Sequence, residues 1–122
     1  MKAYSNNFYE RVNKLKNIIP YYGSNGEQDL PVKPNCFDIM DKFLSLMEFS
    51  EPALYPTENG DLMLVWDESN IQCEIICDKT ESIEVFKGDT GMCSVFSVDD
   101  DSIWHAAYYA WECLKPSPIK ID

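Results

Sequence analysis

The stretch EPALYPTENGDLMLVWDESNIQCEIICD, residues 51–78, reads as short β-strands cut by turn signals, and the helical segments on either side read as covers for a sheet. Asn59-Gly60 precedes the run from Asp61 to Asp67. Such a pair supplies the positive φ angles of a tight hairpin, so Ala53 to Thr57 is expected to pair with that run. Ile71 to Asp78 alternates, with Ile71, Cys73, Ile75 and Cys77 on one face and Gln72, Glu74 and Ile76 on the other. Ser82 to Lys87 puts Ile83 and Val85 on one face, Glu84 and Phe86 on the other. Gly88-Asp89-Thr90-Gly91 then turns the chain into a last strand, Met92 to Val98. Links this short carry no helical crossovers, which predicts an antiparallel meander of four to five strands.

At 122 residues the chain has the size of a single domain, 1–122, able to bury a core without staples. An apolar share of 45% argues against disorder. No apolar run approaches the roughly 20 residues of a membrane span, and Met1 to Asn17 mixes charged, polar and apolar residues unlike a signal peptide, so a cytoplasmic protein is expected. The five cysteines have no paired short spacing and sit among apolar neighbours, which predicts reduced thiols. Charge is the compositional outlier. The net charge is −11, and residues 27–112 hold four lysines against 19 acidic residues. Such a body repels nucleic acid and anionic membrane and attracts basic protein surfaces, although solubility alone also accounts for acidity.

Ser5 caps a predicted first helix running to about Ile19, with Phe8, Val12, Leu15 and Ile19 as its apolar stripe, and Pro20 ends it. Tyr21 to Pro34 reads as a long loop whose glycines lack a phosphate-cradling pattern. Asn35 and Asp38 form an N-cap pair for a second helix through about Glu48, in which Phe37, Met40, Phe43, Leu44 and Met47 make a wide apolar face.

The succession of FDIMDKFLSLM, then EPALYPTENGDLMLVW, then alternating hydrophobics and SIEVF resembles a broad group of small, uncharacterised bacterial and phage proteins. In that group a Phe-Leu helix precedes a Pro-Thr-x-x-Gly hairpin ending in Trp. The resemblance covers about residues 23–88 and rests on Phe43, Leu44, Pro56, Thr57, Gly60 and Trp66. These are hairpin and core types. The resemblance implies a fold and no activity.

Asp99-Asp100-Asp101 lacks the spacing and distal glutamate of a calcium loop, and is expected to be a charged cap on the last helix, Ile103 to Leu114. That helix is apolar nearly all round. Ile103, Ala106, Ala107, Ala110 and Leu114 suit close packing on the sheet, while Trp104, Tyr108 and Trp111 form a second ridge, expected to be covered within the fold by the first helix. A dimer mate or a partner is the alternative cover. His105, the only histidine, is too far along its helix from Cys113 for a nucleophile pair, at about 12 Å. Cys73 and Cys77 are about 13 Å apart along one strand, beyond disulfide or zinc reach. Carboxylate pairs are too plentiful to single out an acid–base couple.

Glu74 and Glu84 share a sheet face with Ile76 and Phe86 if their strands pair across residues 79–81. Cover by a helix is set slightly ahead of an exposed spot rimmed by carboxylates. The predicted fold class is α+β: two N-terminal helices, the antiparallel meander, and a C-terminal helix packed on it. Without a metal, cofactor or catalytic motif, charge and size point to a non-enzymatic inhibitor with a basic partner such as a nuclease, toxin or CRISPR effector. Immunity proteins, antitoxins and anti-CRISPR proteins are of this type. Glu74, Glu84, Asp67, Glu68, Asp99, Asp100 and Asp101 are the expected pairing carboxylates, and Phe86 or Trp104 the anchor. Complete DNA mimicry requires two close rows of carboxylates, which strand spacing does not ensure. The alternative is a homo-oligomeric structural or adaptor domain, a homodimer through its last helix. A cysteine-dependent enzyme is the third reading.

Overall fold

The computed structural model describes residues 4–17, 21–22, 28–29, 31–77, 80–88 and 90–114, with the main chain alone for Tyr21, Tyr22, Gln28, Asp29 and Glu68. The order is α1 (Asn6–Lys16), β1 (Tyr21–Tyr22), β2 (Gln28–Asp29), α2 (Pro34–Leu46), β3 (Ala53–Pro56), β4 (Leu62–Trp66), β5 (Ile71–Cys77), β6 (Glu81–Lys87), β7 (Met92–Ser97) and α3 (Asp100–Leu114). Strands β3 to β7 form an antiparallel sheet in sequence order. The α+β class, the meander and the C-terminal helix on the sheet agree with the sequence reading.

In α1, the Ser5 hydroxyl accepts from the Phe8 N–H at 3.3 Å and satisfies one of the unpaired amides of the first turn. The Ser5 N–H and hydroxyl donate to the Glu51 carboxylate, at 2.7 and 3.0 Å, and tie the helix start to the approach to β3. Phe8, Val12 and Leu15 are buried as the periodicity predicts, while Ile19 and Pro20 lie outside the described residues.

Two expectations in the next segment are corrected. The predicted loop contains a two-residue antiparallel pairing, Tyr21 with Asp29 and Tyr22 with Gln28. The second helix starts at Pro34 with Lys33 in the cap position and no side-chain cap, so Asn35 sits inside the first turn. Proline has no N–H to leave unpaired there and its fixed φ is already helical. The helix ends at Leu46, and its buried face extends beyond the predicted stripe to Cys36 and Ile39.

The β3–β4 hairpin is wider than an Asn-Gly two-residue turn. Gly60 takes a left-handed φ of 78°, and Asn59 does not. Main-chain bonds close the loop, from the Thr57 N–H to Asp61 O and the Gly60 N–H to Thr57 O. The Thr57 hydroxyl also accepts from the Asn59 and Asp61 amides. Between β4 and β5 the chain makes a 3-10 turn, Asp67–Ser69, ending at Asn70 with φ 56°. Gly88 lies close beside it: a Cβ there would stand 2.5 Å from the end of the exposed Asn70 side chain, which would have to move aside.

The inward sheet face carries Leu54, Leu62, Leu64, Trp66, Ile71, Cys73, Ile75, Cys77, Ile83 and Val85, all buried. Helices α2 and α3 lie on this face, and α1 packs beside β3. Phe43 stacks on Phe49 and Phe49 leans on Trp66, whose indole N–H donates to Ser50 O at 2.8 Å. Ala106, Ala107 and Ala110 bring α3 close to its neighbours and are fully buried. The expected cover of the aromatic ridge is corrected for Trp104 and Tyr108, while Trp111 is partly buried against the core. Trp104 and Tyr108 are 44% and 43% exposed and stack on each other at 5.4 Å, because α1 is spent on the β3 side of the molecule.

Candidate functional site: the open sheet face

With all three helices on the inward face or beside β3, the other face of the sheet has no cover among the described residues. Register defines its rows. Tyr55, Met63, Glu74, Glu84 and Val95 lie side by side across the five strands, and Ala53, Val65, Gln72, Phe86 and Cys93 form the next row. Ile76 and Ser82 follow toward the other end. Phe86 is 39% exposed, which corrects the expectation that a helix covers it, while Ile76 on the same face is half-buried.

Glu74 and Glu84 are direct cross-strand partners. Side chains at such positions stand about 5 Å apart at Cβ, and like charges placed there repel. The Glu74 carboxyl is accordingly pushed above the usual range, first by burial beside its apolar neighbours, then by Glu84 and by Asp61. No lysine or arginine stands in these rows. At the β3 side, Arg11 lies 6.0 Å from the centre of the Tyr55 ring and donates through Nε to Leu54 O.

The remaining predicted partner-binding residues stand elsewhere. Asp67 is exposed in the β4–β5 turn, and the Glu68 side chain lies outside the described residues. Asp99 caps α3. Its carboxylate accepts from the Ser102 N–H at 3.0 Å and from the Ser97 and Ser102 hydroxyls, and those bonds hold its pKa below the usual value. Asp100 pairs with Lys42 at 3.0 Å, and Asp100 and Asp101 occupy the first helical turn. Trp104 belongs to the helical layer, behind the sheet as seen from Glu74 and Glu84. Register thus unites Glu74, Glu84 and Phe86 and separates them from the others.

Sequence reasoning missed Tyr55 and Val95 on the face, although the alternation of Leu54 with Tyr55 and of Val95 with Phe96 carries the signal. It also missed Asp61, the buried acid among the described residues. Asp61 accepts from Lys33 Nζ and from the Cys77 N–H, both at 3.0 Å. The Cys36 thiol donates to Cys77 Sγ at 3.2 Å. Burial raises the pKa of Cys36, Cys73 and Cys77, which keeps these thiols protonated and poorly nucleophilic.

Two surface grooves are present, one of them meeting the β3 margin of this face at Ala53 and Tyr55. Arg11 and Glu51 border one, between α1 and β3, and Lys16 and Asp38 the other, at α2. Among the described residues, no group of three or more His, Cys, Asp or Glu is placed to hold a metal ion, and no helix is long and apolar enough to cross a membrane. No protein-family model, curated protein or solved structure matches the chain.

Proposed function

We propose that this is a non-enzymatic acidic binding protein that inhibits a basic, nucleic-acid-processing partner by occupying its nucleic-acid cleft, in the manner of an immunity protein, antitoxin or anti-CRISPR protein. The observation that carries this reading is the open sheet face, where two facing carboxylates without a cation in their rows are flanked by exposed Tyr55, Phe86 and Val95. An arginine or lysine between Glu74 and Glu84 would relieve their repulsion, and the apolar rows would exclude water around the pair. A cleft that holds phosphates supplies such cations.

The test is capture of partners on the tagged protein from host lysate at low salt, elution with rising salt, and assay of each eluted protein on nucleic acid. A basic protein whose activity the wild-type chain abolishes at stoichiometric amounts, and the double variant E74K/E84K does not, supports the reading. Inhibition that is indifferent to both charge reversals sinks it. The second reading, a homodimer through α3, is favoured by the exposed Trp104–Tyr108 stack. A salt-insensitive dimer that W104A converts to monomer would bring it forward.

A further inference from the structure

The two edges of the sheet are treated differently. Edge strand β3 is four residues long, ends in Pro56, and has α1 beside it with Arg11 on its Leu54 carbonyl. Short length, proline and a covering helix are how proteins protect sheet edges. Edge strand β7 is neither short nor closed by a proline, and the helix that packs against it, α3, meets its inward side through Phe96 and Tyr109. It is six residues, MCSVFS, without a charge or a proline, and Met92 and Val95 are 55% and 62% exposed. Its pairing is with β6 on one side, and its other side pairs with no strand among the described residues, so every second residue directs its N–H and C=O outward.

The charges around this neutral edge are mostly of one sign. Glu84 stands directly behind Val95 and Glu74 behind Glu84. Asp99, Asp100 and Asp101 follow the C-terminal end of the strand, where Lys42 pairs with Asp100, and Lys87 is the cation at its start, partnering Met92. We propose that β7 is a docking edge for an extended cationic segment of the partner, which adds to the sheet as a further antiparallel strand. The proposal rests on the basic-partner reading above and specifies how that partner is held. Main-chain bonds supply the affinity, and the acidic row selects the charge. A residue opposite Val95 on the added strand is two strand spacings, about 10 Å, from Glu84. The combined length of an arginine and a glutamate side chain bridges that gap. The acidic turn after Ser97 meets the same segment further along.

The probe is an acetylated ten-residue peptide of alternating arginine and valine, compared with the same peptide N-methylated at alternate amides, which keeps the charge and removes the ladder. Binding is read by fluorescence anisotropy, and amide hydrogen exchange is followed over residues 90–98. The expected result is exchange slowed at least tenfold at alternate β7 amides. Binding should fall at least tenfold for the N-methylated peptide and for V95K, a substitution at an exposed position that leaves the fold intact. Equal binding of both peptides with unchanged β7 exchange overturns the proposal. So does protection of β7 without peptide, from a second copy or from residues 115–122. If a basic partner is inhibited through Glu74 and Glu84 while β7 exchange stays unchanged, the edge proposal fails and the inhibitor reading stands. If β7 takes the peptide and no basic partner is inhibited, the inhibitor reading fails.

Discussion

Glu74 and Glu84 face each other with no cation in their rows, an arrangement that costs the free protein stability. Because the Glu74 carboxyl is raised from its ordinary value of 4.5, its contribution is most favourable when protonated and is lost as pH rises through the shifted value. E84Q should therefore stabilise the fold at pH 7 by roughly 0.5 kcal/mol, given solvent screening of the pair. The gain should vanish in urea titrations near pH 4. A destabilised E84Q at pH 7 would show that a cation already pairs with the glutamates. Asp61 predicts the reverse. D61A leaves the buried Cys77 N–H without its acceptor and Lys33 without its ion pair, which should cost about 1–3 kcal/mol by urea unfolding. The alternation made Glu74 and Glu84 legible as sequence. Asp61 was not legible, because its partners lie 28 and 16 residues away.

Among elements, strands were read more faithfully than helix environments. Period-two patterning states which face of β5 or β6 is buried, and that face is the expected one in both strands, whereas the helix cover expected over Phe86 is absent among the described residues. An apolar helix states how much of it wants cover and not which neighbour provides it. The first helix was equally suited to β3 and to the aromatic ridge of α3, and it packs on β3. The Cys36–Cys77 contact likewise joins α2 to β5 across 41 residues and leaves no local trace. The α3 geometry predicts a contrast between neighbours. A107L forces extra volume into a fully buried contact and should cost about 1–3 kcal/mol, whereas Y108A, on the exposed flank, should stay within about 0.5 kcal/mol. Equal losses in urea would mean that the ridge is covered. Alkylation gives a second check on the packing. Iodoacetamide should modify exposed Cys93 in the native protein and reach Cys36 and Cys73 only on unfolding, as read by mass spectrometry of the peptides.

For the whole molecule, a net charge of −11 acts on encounter more than on fold. Association with the basic partner proposed above should slow roughly tenfold between 50 and 500 mM salt while dissociation changes much less, measured by stopped flow or surface plasmon resonance. An association rate indifferent to salt would leave the charge with no part in encounter. The protected β3 edge has a further consequence for assembly. A sheet closed at one side and open at the other is a template with a single growing end, and whatever strand seats on β7 uses that end up. Two copies joined there would give a closed pair, and a partner's strand would give one complex per chain. A strand seated on β7 as proposed would therefore end the assembly and not propagate it.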